Sequence, residues 1–227
     1  MQYRHEWKIE ISPQDRLILR SRLAAVTERD PHAPEGAYRI RSLYFDTPED
    51  RALREKQDGV SQREKFRLRL YNADSSFIRL EKKCKTASLG AKLSAKLTAE
   101  ETAALLRGDT LFLRDSAQSL CRELYIKMTA EGLRPKTLVD YTREAFVYLP
   151  GNVRVTLDYA IRTGLTGTDF LDPETVTVPV PGDPSLLEVK WDAYLPEVIR
   201  AAVQLDGRRA AAFSKYEKCR AYDGCCD

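Results

Sequence analysis

The chain has 227 residues, with 37 Lys and Arg against 34 Asp and Glu, for a net charge of +3. That length can bury a substantial core, and a charged fraction of 31% so nearly balanced fits neither an acidic disordered tail nor a uniformly basic nucleic-acid coat. No stretch approaches the roughly 20 apolar residues of a membrane helix, only His5 and His32 offer imidazole chemistry, and neither GxxxxGK[ST] nor GxGxxG occurs.

The first residues carry charge at once and have no apolar h-region, so no secretion signal is expected. Tyr3–Ile11 alternates like a strand. Pro13–Val26 reads as an amphipathic helix with Ser12 as N-cap and Pro13 at its first position. Tyr38–Phe45 is a strand, and Thr47–Gln57 a short helix ended by Asp58-Gly59. Gln62–Tyr71 and Ser76–Lys85 read as a hairpin turning at residues 72–75. Thr98 and Glu101 form a capping-box pattern that opens a helix stopping near Gly108, and Ser116–Ala130 is a further helix. Thr137–Tyr148 and Val153–Ile161 form a second hairpin around Pro150-Gly151-Asn152. Thr175–Val180 and Leu186–Trp191 are short strands, Ala193–Leu205 is helical despite Pro196, and residues 214–227 give no clear pattern. No linker or repeat divides the chain, so a single domain over 1–227 is expected, of α+β class on an antiparallel sheet or barrel. Five cysteines, without a CxxC pair and with Cys225-Cys226 at the tail, fit a reduced, cytoplasmic setting.

The polar faces of the strands are unusual. Glu6, Lys8 and Glu10 share one face against Trp7, Ile9 and Ile11. Lys65, Arg67 and Arg69 oppose Phe66, Leu68 and Leu70; Arg79, Glu81, Lys83 and Lys85 oppose Ile78 and Leu80. Tyr141 and Arg143 align, as do Arg154, Thr156 and Asp158, and then Glu188 and Lys190. One such strand is an ordinary solvated face, but many together would repel on an open sheet without counter-charge or ligand. A basic nucleic-acid surface relieves this, as does a barrel with its apolar face outward under helices and its charged face around a wet lumen. Apolar helix positions such as Leu17, Leu19, Leu23 and Val26 favour the barrel. A lumen of Lys and Arg suits phosphate oxygens, and a carboxylate there can hold a hard divalent ion against phosphate, which together are the parts of phosphoryl transfer. Asp46 reads as a turn residue, Trp7 and Trp191 as core, and Cys84 as a small buried residue of the outer face.

An ordered set of segments resembles the triphosphate tunnel metalloenzyme (CYTH-like) superfamily, and within it the VTC-type polyphosphate polymerase domain. The segments are Tyr3–Glu10 (YRHEWKIE), Ser42–Thr47 (SLYFDT), Lys65–Tyr71 (KFRLRLY), Leu80–Lys85 (LEKKCK), Asp140–Arg143 (DYTR), Asn152–Asp158 (NVRVTLD), Leu187–Lys190 (LEVK) and Ser214–Tyr216 (SKY). The resemblance implies an eight-stranded antiparallel β-barrel tunnel with helices packed outside. It implies phosphate or nucleotide contacts from Lys8, Arg67, Arg69, Lys83, Arg143, Arg154, Lys190 and Lys215, with Lys65 and Lys85 added from the same faces. Lys8, Arg67, Arg69, Lys83, Glu188 and Lys215 are the implied catalytic set, and Glu188 the implied ligand of Mn²⁺ or Mg²⁺, with Glu6 and Glu10 as further candidates. The implied partners are ATP and polyphosphate or triphosphate, not nucleic acid.

The superfamily's first strand often reads Glu-x-Glu-x-Lys, whereas this one reads Arg4-x-Glu6-x-Lys8, a departure that favours phosphate contacts over a carboxylate-rich metal site. The expected activity is transfer of the γ-phosphoryl group of ATP to a growing polyphosphate chain. A metal-dependent inorganic or nucleoside triphosphatase and a non-catalytic polyphosphate-binding module are the alternatives. With no membrane segment evident, coupling to translocation would need a membrane partner.

Overall fold

Alternating apolar and charged residues give strands with one dry and one charged face, and these assemble into a single antiparallel sheet. The structure, a computed structural model, describes residues 4–222 apart from 34, 87 and 88. Tyr3 and the Cys225-Cys226 pair lie outside the described residues. The strands are β1 (His5–Ile11), β2 (Glu28–Arg29), β3 (Tyr38–Asp46), β4 (Gln62–Tyr71), β5 (Ile78–Thr86), β6 (Leu89–Leu97), β7 (Arg134–Tyr148), β8 (Val153–Thr163), β9 (Val178–Pro179) and β10 (Ser185–Trp191). The helices are α1 (Pro13–Val26), α2 (Arg51–Gln57), α3 (Ala99–Leu106), α4 (Leu111–Arg114), α5 (Ser119–Ala130), α6 (Glu197–Val203) and α7 (Lys215–Cys219).

The ladder runs β1-β10-β8-β7-β3-β4-β5-β6, with β2 on β7 and β9 on β8. It is curled so far that Lys83 of β5 reaches Glu6 of β1, 3.8 Å away, across the concave side. This is the expected antiparallel tunnel fold with helices outside, curled as a half-barrel. Among the described residues no backbone ladder joins β1 to β6. The β1 edge is instead met by the strap leading to α7, where Ala211 N–H donates to the Lys8 carbonyl at 2.8 Å.

Two apolar cores lie on the convex side. One packs Leu19 and Leu23 of α1 and Ile199 and Val203 of α6 on Ile9, Val155, Leu157, Leu187 and Val189. The other packs Leu105, Leu113, Leu120 and Leu124 of α3, α4 and α5 on Leu43, Phe66, Leu68, Ile78, Leu80 and Leu138. A third cluster is on the concave side, where Phe213, Tyr216 and Cys219 pack against Ile40, Tyr44, Val139 and Tyr141. The C-terminal helix α7 thus departs from the expected outside packing and occupies part of the lumen, where it carries Lys215.

Local signals explain the element ends. Ser12 caps α1, its hydroxyl accepting from Asp15 N–H at 3.1 Å while Asp15 accepts from Ser12 N–H at 2.9 Å. Thr98 and Glu101 do the same for α3. Gly151 turns the β7–β8 hairpin at φ 75°, where a Cβ would lie 2.7 Å from the Tyr194 carbonyl oxygen. The predicted helix from Thr47 begins only at Arg51, because Asp46 accepts the N–H groups of Thr47, Ala52 and Leu53 and organises the preceding turn. The helix expected over 193–205 shortens to Glu197–Val203, with Pro196 as its N-cap. The eighth long strand is β6, not Thr175–Val180, which supplies only the two-residue β9. Cys84 is on the convex face but only partly buried, lying outside the apolar core that holds Leu80 of the same strand.

Candidate phosphate-binding tunnel

Strand register brings the charged faces into one lumen. Lys8 pairs with Glu188, which pairs with Thr156; Glu6 pairs with Lys190, which pairs with Arg154. On the other wall Lys65 pairs with Lys83, and Arg67 with Glu81. The side chains form three ion clusters.

In the first, Glu6 and Glu188 share two lysines. Lys8 Nζ lies 3.0 Å from Glu6 and 3.6 Å from Glu188, and Lys190 Nζ lies 3.3 Å and 3.1 Å from them. Burial alone would raise the Glu188 carboxyl, but Lys190 and Lys8, with Arg143, hold it well below the carboxylate range. Lys83 borders this cluster. Desolvation, then the neighbouring Lys8 ammonium, pull Lys83 down to about 7, although 46% of its side chain is exposed.

In the second cluster, Arg143 donates to both oxygens of Asp158 at 2.6 and 2.7 Å, and Lys215 Nζ lies 2.6 Å from the same carboxylate. Lys215 arrives from α7, so the seating of that helix completes this part of the lumen. Tyr216 anchors it: its ring stacks on Tyr44 at 5.0 Å, and its hydroxyl donates to Asp46 at 2.6 Å. Burial, with the Asp46 charge, pushes the Tyr216 hydroxyl far up.

In the third cluster, Glu81 receives Arg67 Nε and Nη2 at 2.8 and 2.7 Å and Lys92 at 3.0 Å, with Arg69 3.5 Å away. Arg154 stands apart, donating to Asp30 at 2.6 Å and Tyr38 at 2.9 Å. Lys65 has no carboxylate within 4.0 Å among the described residues; its ammonium sits over the Tyr216 ring at 5.0 Å, and burial lowers it. Lys85 is half-buried farther along β5 and is lowered by desolvation and by Arg63 and Lys8. Glu10 is not brought to the Glu6–Glu188 pair; it is half-exposed and pairs with Lys218 at 3.4 Å.

Two lumen residues escaped the sequence reading. Lys92 comes from β6, whose alternation of Ala91, Leu93, Ala95 and Leu97 with Gly90, Lys92, Ser94 and Lys96 was its available signal. The other is Tyr44, which accepts from Arg67 at 2.8 Å and whose signal is the same-face spacing Tyr38, Ile40, Ser42, Tyr44 on β3. Tyr141, which the sequence aligns with Arg143, accepts from Arg69 at 3.2 Å.

The VTC domain model matches residues 3–222, nearly the whole chain. The chain belongs to the VTC domain family. No curated protein matches the sequence. Among solved structures, the Hippeastrum protein HpAC1, a candidate adenylyl cyclase described as having a dominant triphosphatase activity, is similar at a TM-score of 0.56 and 13% identity. The alignment covers 97% of this chain and 96% of that one. The PH1819 protein of Pyrococcus horikoshii gives a TM-score of 0.48 at 10% identity, covering 94% of each chain. A Bacillus halodurans protein described as an adenylate cyclase gives 0.47 at 14% identity, covering 83% of this chain and 80% of that one. The Hippeastrum likeness shows that the two chains share a fold.

Arg67, Arg69, Arg143 and Arg154 and most of the lumen lysines already have a carboxylate or hydroxyl partner, so an anion entering the lumen would have to take over those donors. Among the described residues no three His, Cys, Asp or Glu side chains form a preassembled metal cage. No helix among them is long and apolar enough to cross a membrane.

Proposed function

We propose that this VTC domain is an ATP-dependent polyphosphate polymerase working in the lumen. What supports the reading is the VTC match over residues 3–222 in a chain whose lysines and arginines converge from β1, β4, β5, β7, β8, β10 and α7 on one concave face. Arg67, Arg69 and Lys83 on one wall, and Lys8, Lys190, Arg143 and Lys215 on the other, would grip the phosphates of ATP and of the acceptor chain. An acceptor phosphate already has anionic oxygen, so no general base is required. Its oxygen forms the new bond to the γ-phosphorus, the bond from that phosphorus to the β–γ bridging oxygen breaks, and ADP leaves with the electron pair. Positioning and cationic charge supply the stabilisation.

The residues also fit a divalent metal, Mn²⁺ or Mg²⁺. Glu6 and Glu188 converge on shared lysines, and a hard ion held by one or two carboxylates and otherwise by substrate phosphates needs no larger cage. When bound there it would neutralise charge between carboxylate and phosphate oxygens.

Purified protein incubated with ATP and Mn²⁺, with and without a short polyphosphate primer, tests this directly. Long chains with stoichiometric ADP and little orthophosphate are expected. Orthophosphate without chains would establish instead a triphosphatase, the activity described for the Hippeastrum protein. ATP binding without either product would reduce the domain to a binding module.

A further inference from the structure

Among the described residues, two buried side-chain polar atoms lack a hydrogen-bond partner, Arg16 Nε and Thr156 Oγ1. Arg16 has its own explanation: its guanidinium lies 3.8 Å from the centre of the Tyr159 ring. Thr156 has none. It is 3% exposed, on β8 between Arg154 and Asp158, and shares their lumen face. Its cross-strand neighbours are Glu188 on β10 and Ala145 on β7.

The charged groups around it are committed elsewhere. Arg154 bonds Asp30 and Tyr38, Asp158 holds Arg143 and Lys215, and Glu188 is paired with Lys190 and Lys8. Ala145 offers only a methyl group. A valine would serve the strand equally well and would avoid burying an unbonded hydroxyl, which is costly. The hydroxyl therefore calls for a partner that the described residues do not supply. A lysine at this position would be claimed by Glu188, as Lys8 and Lys190 are; a neutral hydroxyl stays available.

We propose that the Thr156 hydroxyl donates a hydrogen bond to a nonbridging oxygen of the bound phosphate chain and positions it beside Glu188. This rests on the reading of the lumen as a phosphate site. Thr156 is a binding and positioning residue; the transferred group need not touch it.

The test is calorimetric titration of wild type, Thr156→Val and Thr156→Ser with tripolyphosphate, in EDTA and again with Mn²⁺, together with thermal unfolding of each free protein. Thr156→Val should melt no lower than wild type, because it removes an unbonded polar group, yet bind tripolyphosphate about tenfold more weakly in EDTA. Thr156→Ser should bind within about twofold of wild type. Equal affinity for Val and wild type would overturn the assignment. So would a loss seen only with Mn²⁺, which would put the hydroxyl on the metal, or a fall in melting temperature that matches the affinity loss. Should the Val variant fail to fold, Thr156→Ala makes the same deletion. Wild type that does not bind tripolyphosphate at all would overturn the tunnel reading itself, a result distinct from an equal Val affinity.

Discussion

Glu81 gathers three lumen cations onto one carboxylate, and replacing it by Gln keeps the shape while removing the charge. Two Arg67 nitrogens donate to one of its oxygens at 2.8 and 2.7 Å, Lys92 bonds the other at 3.0 Å, and Arg69 lies 3.5 Å away. Glu81 itself is 2% exposed. Breaking a buried ion pair by removing one partner costs about 3–5 kcal/mol, and because Gln retains one acceptor, the lower end, about 3 kcal/mol, is expected. For a chain of this size that lowers the melting temperature by roughly 6–12 °C. The Glu81 carboxyl, which burial alone would raise, is held well below its ordinary range by Arg67 and Arg69. Its contribution is therefore fully present above the unfolded carboxyl value of about 4.3 and is lost as pH falls below it toward the folded value. Wild type should lose more stability than Glu81→Gln between about pH 5 and pH 2. Tripolyphosphate should raise the melting temperature of the variant more than that of wild type, since it replaces the missing counter-charge. Differential scanning calorimetry with and without tripolyphosphate reads all three effects. A variant melting within about 2 °C of wild type, with the same tripolyphosphate shift, would refute the counter-ion account.

Three further outcomes follow from the same geometry. Glu188→Gln should abolish turnover while largely sparing tripolyphosphate binding in EDTA; full activity in this variant would remove Glu188 from the metal site. Lys83, drawn down to about 7, is mostly neutral at pH 8 in the free protein, and a bound polyanion should recharge it. Tripolyphosphate binding at pH 8 should then take up a proton, seen as a binding enthalpy that depends on the buffer's ionisation heat and no longer does so in Lys83→Met; buffer-independent heats in wild type would contradict it. Tyr216→Phe deletes the 2.6 Å bond to Asp46 and should cost about 1.5–3 kcal/mol in urea unfolding, with coincident midpoints as the opposing result.

The faces of the strands were legible because a period of two is a local property. Spacing alone puts Lys65, Arg67 and Arg69 on one side, and the same spacing puts Leu68 and Leu70 on the other, where they join the convex core. The α1 boundaries were readable because Ser12, Pro13 and Asp15 carry their own capping chemistry. The ninety-odd region failed for the opposite reason. Gly90, Ala91 and Ala95 have low strand propensity, and β6 exists because β5 offers it an edge, from Ile78 opposite Leu97 to Thr86 opposite Leu89. Tertiary context also made α7, a five-residue helix too short to form alone, whose Tyr216 needs Tyr44 and Asp46 from β3. Sequence could place Glu10 on the Glu6 face, but not show that the lumen's curvature leaves it paired with Lys218.

The pairing pattern bears on which anions the lumen selects. Its cations gather around Glu81, around Asp158, and around Glu6 with Glu188, and Arg143 links the last two by lying 3.7 Å from Glu188. An orthophosphate ion entering one cluster competes with a carboxylate already bonded there, and gains only the difference between two charge-assisted contacts. A chain of linked phosphates meets several clusters at once, and after the first contact each further exchange is intramolecular, with the high effective concentration that linkage gives. In a phosphate-binding lumen these carboxylates would thus disfavour single phosphates relative to phosphate chains. Their removal would erode that discrimination: Glu81→Gln should raise orthophosphate affinity proportionally more than tripolyphosphate affinity, and equal gains for both anions would show that the clusters do not select by length.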